Sequence, residues 1–205
     1  TWNLCDVGKR LNRSQRMNIL TDTLPESVDI SGVMYQINTD FRTCLKTIMA
    51  YEDPELTPQE KTSILLSNLY SEIPSDLETA RQQANLFLNG GKVGNEDDEP
   101  SPRVYSFSKD ANFIFAAFRQ THGIDLQKET LHWWEFLSLF MDLGSETTFC
   151  QLVSLRKRIK TGKASKEERQ AAREMGDLIE VPEFDDRTLS EKEAEAEFLR
   201  KIGQK

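Results

Sequence analysis

In Leu131-His132-Trp133-Trp134-Glu135-Phe136-Leu137-Ser138-Leu139-Phe140-Met141-Asp142-Leu143, the residues Leu131, Trp134, Leu137 and Phe140 recur at helical spacing. Trp133, Phe136 and Leu143 widen the apolar arc beyond one stripe. The run therefore predicts a helix over 131–143, buried at the centre of a mostly helical domain, with both faces needing cover. Each tryptophan brings a large apolar area and one indole N–H that needs a partner, so core packing is the first expectation for the pair. Neighbouring residues on a helix point about 100° apart, so one of the two can stay partly exposed as an interaction anchor. Trp133, Trp134, Phe136 and Phe140 are accordingly the candidate partner-binding residues.

Upstream, Phe113, Ile114, Ala117 and Phe118 form a stripe that Phe115 widens, so the helix after Asp110 should be sandwiched between other elements. His122-Gly123 supplies a stop, and Ile124-Asp125-Leu126 a short connection. Downstream, Ser145-Glu146-Thr147-Thr148 reads as the start of a helix carrying Phe149, Leu152, Val153, Leu155 and Ile159. Ser165-Lys166-Glu167-Glu168 is a capping box opening another.

The N-terminal half supplies what those helices pack against. Ser27-Val28-Asp29-Ile30 and Val33-Met34-Tyr35-Gln36-Ile37 flank Ser31-Gly32, which predicts a hairpin. Phe41, Cys44, Leu45, Ile48 and Met49 follow at helical spacing after a cap at Thr39 or Asp40, and this helix must stop before Pro54. Thr57-Pro58-Gln59-Glu60 combines a capping Thr, Pro at the first helical position and a Glu placed to reach back, predicting a helix through about Tyr70. Leu77, Ala80, Ala84, Phe87 and Leu88 give one further face, starting at Ser75 and ending at Gly90-Gly91. The fold class expected is mainly α, a compact multi-helix domain with a small N-terminal β-hairpin.

Composition shifts mark the limits of that domain, taken as residues 17–182. Residues 90–102 hold Gly90, Gly91, Gly94, the acidic run Glu96-Asp97-Asp98-Glu99 and Pro100-Ser101-Pro102, a mobile loop on which limited proteolysis should act first. Residues 1–16 carry Lys9, Arg10, Arg13 and Arg16 against Asp6 alone and show no period. They read as a translated leader or a basic arm, or as the junction of an upstream frame-shifted product. An AGG-AGC coding of Arg13-Ser14 would place a ribosome-binding string before an ATG for Met17. Residues 183–205 turn acidic and offer only the sparse apolar positions Leu189, Phe198, Leu199 and Ile202, a partly helical tail that is either mobile or orders on a partner.

Bulk properties narrow the function. With 38% hydrophobic and 29% charged residues, the 205-residue chain falls in the ordinary globular range. The absence of a transmembrane-length apolar run or signal core points to a cytoplasmic location. Cys5, Cys44 and Cys150 are too scattered for a disulfide framework or a zinc site. No spacing joins a nucleophile, a base and an orienting acid, and Gly90-Gly91-Lys92-Val93-Gly94 lacks the context of a phosphate loop. Neither catalysis nor a cofactor is expected. His122 and His132, beside aromatic residues, read as structural. A net charge of -8 opposes nucleic-acid binding unless Arg156, Lys157, Arg158, Lys160, Lys163 and Lys166 form a local patch. A solvated, dipole-complementing helix end is favoured over that patch, because stacking aromatics are missing.

The stretch Asp110-Ala111-Asn112-Phe113-Ile114-Phe115-Ala116-Ala117-Phe118, then Gly123-Ile124-Asp125-Leu126, then Leu131-His132-Trp133-Trp134-Glu135-Phe136, resembles the bacteriophage gene-product-15 family. The resemblance continues through Thr148-Phe149 to Leu155-Arg156 and spans Met17 to about Pro182. It is most specific between Asp110 and Arg158. Where His122 stands, the family commonly has a tyrosine nearby. The resemblance implies a component of the tail module of long-tailed phages or prophages, often encoded beside the tape-measure protein. Gene order in such modules implies a tail-assembly chaperone that coats the tape measure in the host cytoplasm before tube proteins polymerise. A structural component or adaptor retained in the virion tail is the alternative, and nucleic-acid binding through Arg156 to Lys166 a weaker one. The resemblance carries no catalytic residue onto this chain.

Overall fold

The structure is a computed structural model that describes residues 18–92 and 102–181. A hairpin of β1 (Ser27–Ile30) and β2 (Val33–Gln36) leads into three helices, α1 (Phe41–Glu52), α2 (Pro58–Leu69) and α3 (Leu77–Leu88). Four more follow, α4 (Ala111–His122), α5 (Trp133–Met141), α6 (Thr148–Lys160) and α7 (Lys166–Met175), with a 3-10 turn at Gly176–Leu178. The mainly α architecture with a small N-terminal hairpin is thus the observed one. The hairpin register pairs Ile30 with Val33, leaving Ser31 and Gly32 as a two-residue turn with φ of 54° and 85°. Positive φ at both centres suits the right-handed twist of the strands. Ser31 also donates its hydroxyl to Asp76 Oδ2 at 2.8 Å, tying the turn to the start of α3.

Local chemistry sets most helix ends. Asp40 caps α1 by accepting from the amides of Arg42 and Thr43, and α1 stops two residues before Pro54. Thr57 and Glu60 close a reciprocal capping box on α2 with Pro58 at its first position, and Ser165 and Glu168 do the same for α7. Gly123, at φ 70°, ends α4 in the left-handed conformation.

Two expectations about local structure require correction. The helix expected over 131–143 is shorter, because Leu131 and His132 are extended and pair with the chain before α1. The Phe41 amide donates to the Leu131 carbonyl at 3.2 Å and the Trp133 amide to the Thr39 carbonyl at 2.7 Å. Leu131 and Leu143 are still buried, as their apolar character demands, but both lie outside the helix. The second correction is Leu77, placed by periodicity on the core face of α3. It is the first residue of that helix, precedes the packed positions Ala80, Ala84 and Phe87, and faces solvent.

The two halves share one core. A single apolar cluster runs from Ile30 and Ile37 through Phe41, Leu65, Leu69 and Phe87 to Phe118, Trp133, Phe136 and Phe149. α1 packs on α2 and α5, α2 on α3, and α3 on β1. α4 lies against both α5 and α6, the sandwiched position its wide apolar arc demanded. Segment 103–108 returns the chain to the core. Its Ser106 hydroxyl, Phe107 amide and Ser108 amide all donate to the Glu52 carboxylate at the end of α1, and Arg103 pairs with the same group. The loop expected at 90–102 lies outside the described residues over 93–101, as do the leader and tail assignments over 1–16 and 183–205.

Candidate functional site

Both tryptophans of α5 turn their indole N–H groups onto one feature, the C-terminus of α3. Trp133 Nε1 donates to the Leu88 carbonyl at 2.9 Å and Trp134 Nε1 to the Phe87 carbonyl at 2.8 Å. The last carbonyls of a helix have no intrahelical donor, so each otherwise needs water or a cap. The remaining cap is supplied by glycines: the Gly90 amide donates to Phe87 O and the Gly91 amide to Leu86 O, with φ of 67° and 74°. This is the paired bonding of a Schellman motif. A Cβ on Gly91 would come within 2.8 Å of the Trp134 ring, so glycine is required there for closeness as well as for φ.

Phe136 organises the interior. Its ring lies nearly parallel to those of Phe41, Phe118, Trp133 and Phe140, with interplanar angles of 12°, 11°, 13° and 16° and centroids 5.0 to 6.1 Å away. Offset stacking of this kind adds to the area each ring buries. Of the four candidate partner-binding residues, Trp133 and Phe136 are fully buried and Phe140 nearly so. Those three therefore offer a partner no surface in this conformation. Trp134 is half-buried, stacked on Phe87 at 5.9 Å. On the same outer side of α5, Leu137 is half-buried and Met141 is 79% exposed.

His132 is a structural group. Its Nδ1 accepts from the Trp134 amide at 3.0 Å as the N-cap of α5, and its Nε2 faces the Pro25 carbonyl at 3.1 Å. A neutral ring with Nδ1 as acceptor and Nε2–H as donor satisfies both contacts. His122 similarly reaches the Leu139 carbonyl at 2.9 Å. Burial pushes the Cys44 thiol up to about 12, so it stays protonated and unreactive at neutral pH. Among the described residues no group of His, Cys, Asp and Glu is arranged to hold a metal ion. No helix among them is long and apolar enough to cross a membrane.

The basic stretch is corrected by its first member. Arg156 is fully buried and faces inward, meeting Asp110 in a two-pronged pair of 2.7 and 2.9 Å. Its guanidinium also donates to the Val104 and Leu178 carbonyls at 3.1 and 2.7 Å. Arg158 pairs with Glu168 at 2.7 Å. A phosphate backbone could therefore not use Arg156, and Arg158 is already engaged. The signal was available: Phe149, Leu152 and Arg156 lie at i, i+3 and i+7, which sets a cation on the core face of α6. Its acid, 46 residues upstream, gave no such local sign. Glu52 and its cluster had none either.

An open groove of about 460 Å³ runs between α6 and α7. Its lining joins Cys150, Leu155 and Ala171 with Gln151, Ser154 and the Arg158–Glu168 pair. The mixture brings together neither a nucleophile and base nor a converging set of acids. A family model described as Bacteriophage Gp15 protein matches residues 20–181. No curated protein and no solved structure matches the chain.

Proposed function

The chain belongs to the Bacteriophage Gp15 protein family, and from that membership we propose that it is a non-catalytic tail-assembly chaperone whose client is the tape-measure protein. The family match over 20–181 supports the proposal, since it takes in every described helix and strand and makes this a bacteriophage protein; the place in the tail module is this proposal's own step. A chaperone for a long helical protein must offer apolar surface to apolar helix faces without burying them permanently. Partly exposed Trp134 and Leu137 and exposed Met141 are surface of the required kind. The buried aromatic stack then serves as the rigid base that holds such surface in place.

An assembly factor leaves when the tube closes, whereas an adaptor stays. Quantitative mass spectrometry of lysates and of purified virions separates the two. The expected outcome is a protein abundant during assembly and absent from finished particles. Retention at a fixed copy number per virion would replace the chaperone by a structural tail component.

A further inference from the structure

Trp134, Leu137 and Met141 occupy positions i, i+3 and i+7 of α5, and the 100° step of the helix sets them in one row about 10 Å long. Trp134 and Leu137 are half-buried and Met141 is exposed, with exposed Ser138 beside them. The opposite face of the same helix, carrying Trp133, Phe136 and Phe140, is buried in the core. One flank of the row is closed by the turn after α3. Gly90 and Gly91 lie so close there that a Cβ would sit 3.4 Å from Leu137 Cδ1 and 2.8 Å from the Trp134 ring.

The other flank is acidic. Glu135 and Asp142 are themselves i and i+7, about 80–100° round the helix from the row, and both are exposed. Neither carboxylate is in an ion pair among the described residues. The end of α4 meets α5 where His122 reaches the Leu139 carbonyl, and Arg119, one turn earlier on α4, pairs with Asp125 at 3.7 Å. Lys92 follows Gly91 on the flank across the row. We propose that this row, apolar along its crest and acidic along one edge, is a docking surface for a partner helix whose apolar face is bordered on one side by Lys or Arg.

A straight apolar row on a helix receives the i, i+3/i+4, i+7 anchors of a partner helix. The carboxylates on one edge select the partner's basic edge and hence its orientation, and they speed its approach. The unbranched thioether of Met141 adapts to unlike side chains, as a surface meeting successive segments of a long helical protein requires. So small a contact keeps each engagement weak and reversible. The inference deepens the reading of this α5 surface as the client-binding one. It rests on the protein being a binder of helical segments and not on the identity of the client.

The test uses the full chain and a labelled synthetic helix with a Leu face and Lys along one edge, followed by fluorescence anisotropy at physiological ionic strength. Saturable binding is expected, weakened about fivefold by Met141→Gln and about threefold by Glu135→Gln with Asp142→Asn. Glu72→Gln with Glu180→Gln removes two exposed carboxylates outside α5 and should bind like the parent. Glu135→Lys with Asp142→Lys should instead take the matching helix of Leu and Glu. Because Glu135, Met141 and Asp142 are exposed, melting curves should stay close to that of the parent. Binding unchanged by Met141→Gln, or weakened as much by the Glu72 and Glu180 changes as by the α5 pair, overturns the assignment. Concentration-dependent self-association of the parent that Met141→Gln abolishes would give the row to a second copy and likewise overturn it. A phage tape-measure protein separates the two levels. Equal co-purification with the parent and with the chain carrying Met141→Gln, Glu135→Gln and Asp142→Asn sinks the row and leaves the chaperone reading. No co-purification with the parent, while the peptide results hold, sinks that reading alone.

Discussion

The indole N–H groups of Trp133 and Trp134 perform the same task from different depths. Trp133 is fully buried beside Phe136, so Trp133→Ala should cost about 3–5 kcal/mol in chemical denaturation. Trp134→Phe keeps the stack on Phe87 and loses one hydrogen bond to its carbonyl, about 1 kcal/mol. Equal losses for the two would contradict the assigned depths. Arg156 and Asp110 give a sharper test, because removing one partner leaves a buried charge. Arg156→Met alone should cost about 3–5 kcal/mol, and adding Asp110→Leu should recover part of it, a non-additivity read from the double-mutant cycle. Sequence periodicity could announce that the tryptophans would be buried to different extents. It could not show that both reach the end of α3, since those carbonyls lie some 45 positions away and bind through geometry rather than local pattern.

At the scale of the element, the caps were legible because their chemistry is local. Thr57 with Glu60 and Ser165 with Glu168 close within four residues, and both pairs appear in the sequence as they do in space. The extent of α5 was not legible, because what unwinds Leu131 and His132 is pairing with residues 39–41. The boxes also give a pH dependence. Amide and hydroxyl donation from Thr57 holds Glu60 below its ordinary value, and amide donation from Ser165, aided by Arg158, does so for Glu168. A carboxylate with a lowered folded value contributes stability that is complete above the unfolded value of about 4.3 and is lost as pH falls through the folded one. Protection of the Thr57 and Ser165 amides, taken relative to the intrinsic exchange rate at each pH, should therefore fall on acidification below that point. Replacing Glu60 by Gln should remove the acid sensitivity at α2 and leave that at α7. An unchanged pH profile in that variant would refute the role given to the box.

For the molecule as a whole, the shared cluster from Ile30 to Phe149 makes the two halves one cooperative unit. Tryptophan fluorescence in a Trp2→Phe background and far-UV circular dichroism should follow the same unfolding curve, and separated midpoints would mean that the halves hold separate cores. The aromatic block could be recognised from the sequence both as core and as the mark of a family, and both readings hold. Its use as a partner surface does not follow from either, since the spacing that makes Trp133, Phe136 and Phe140 face one direction is what buries them. Leu77 shows the converse: its spacing matches the buried face of Ala80, Ala84 and Phe87, and only its place as the first residue of α3 leaves it outside.

Co-expression with a phage tape-measure protein tests the central claim most directly. The chaperone account predicts that the tape-measure protein moves from the insoluble to the soluble fraction and co-purifies with this chain. Unchanged solubility with no co-purification would contradict it.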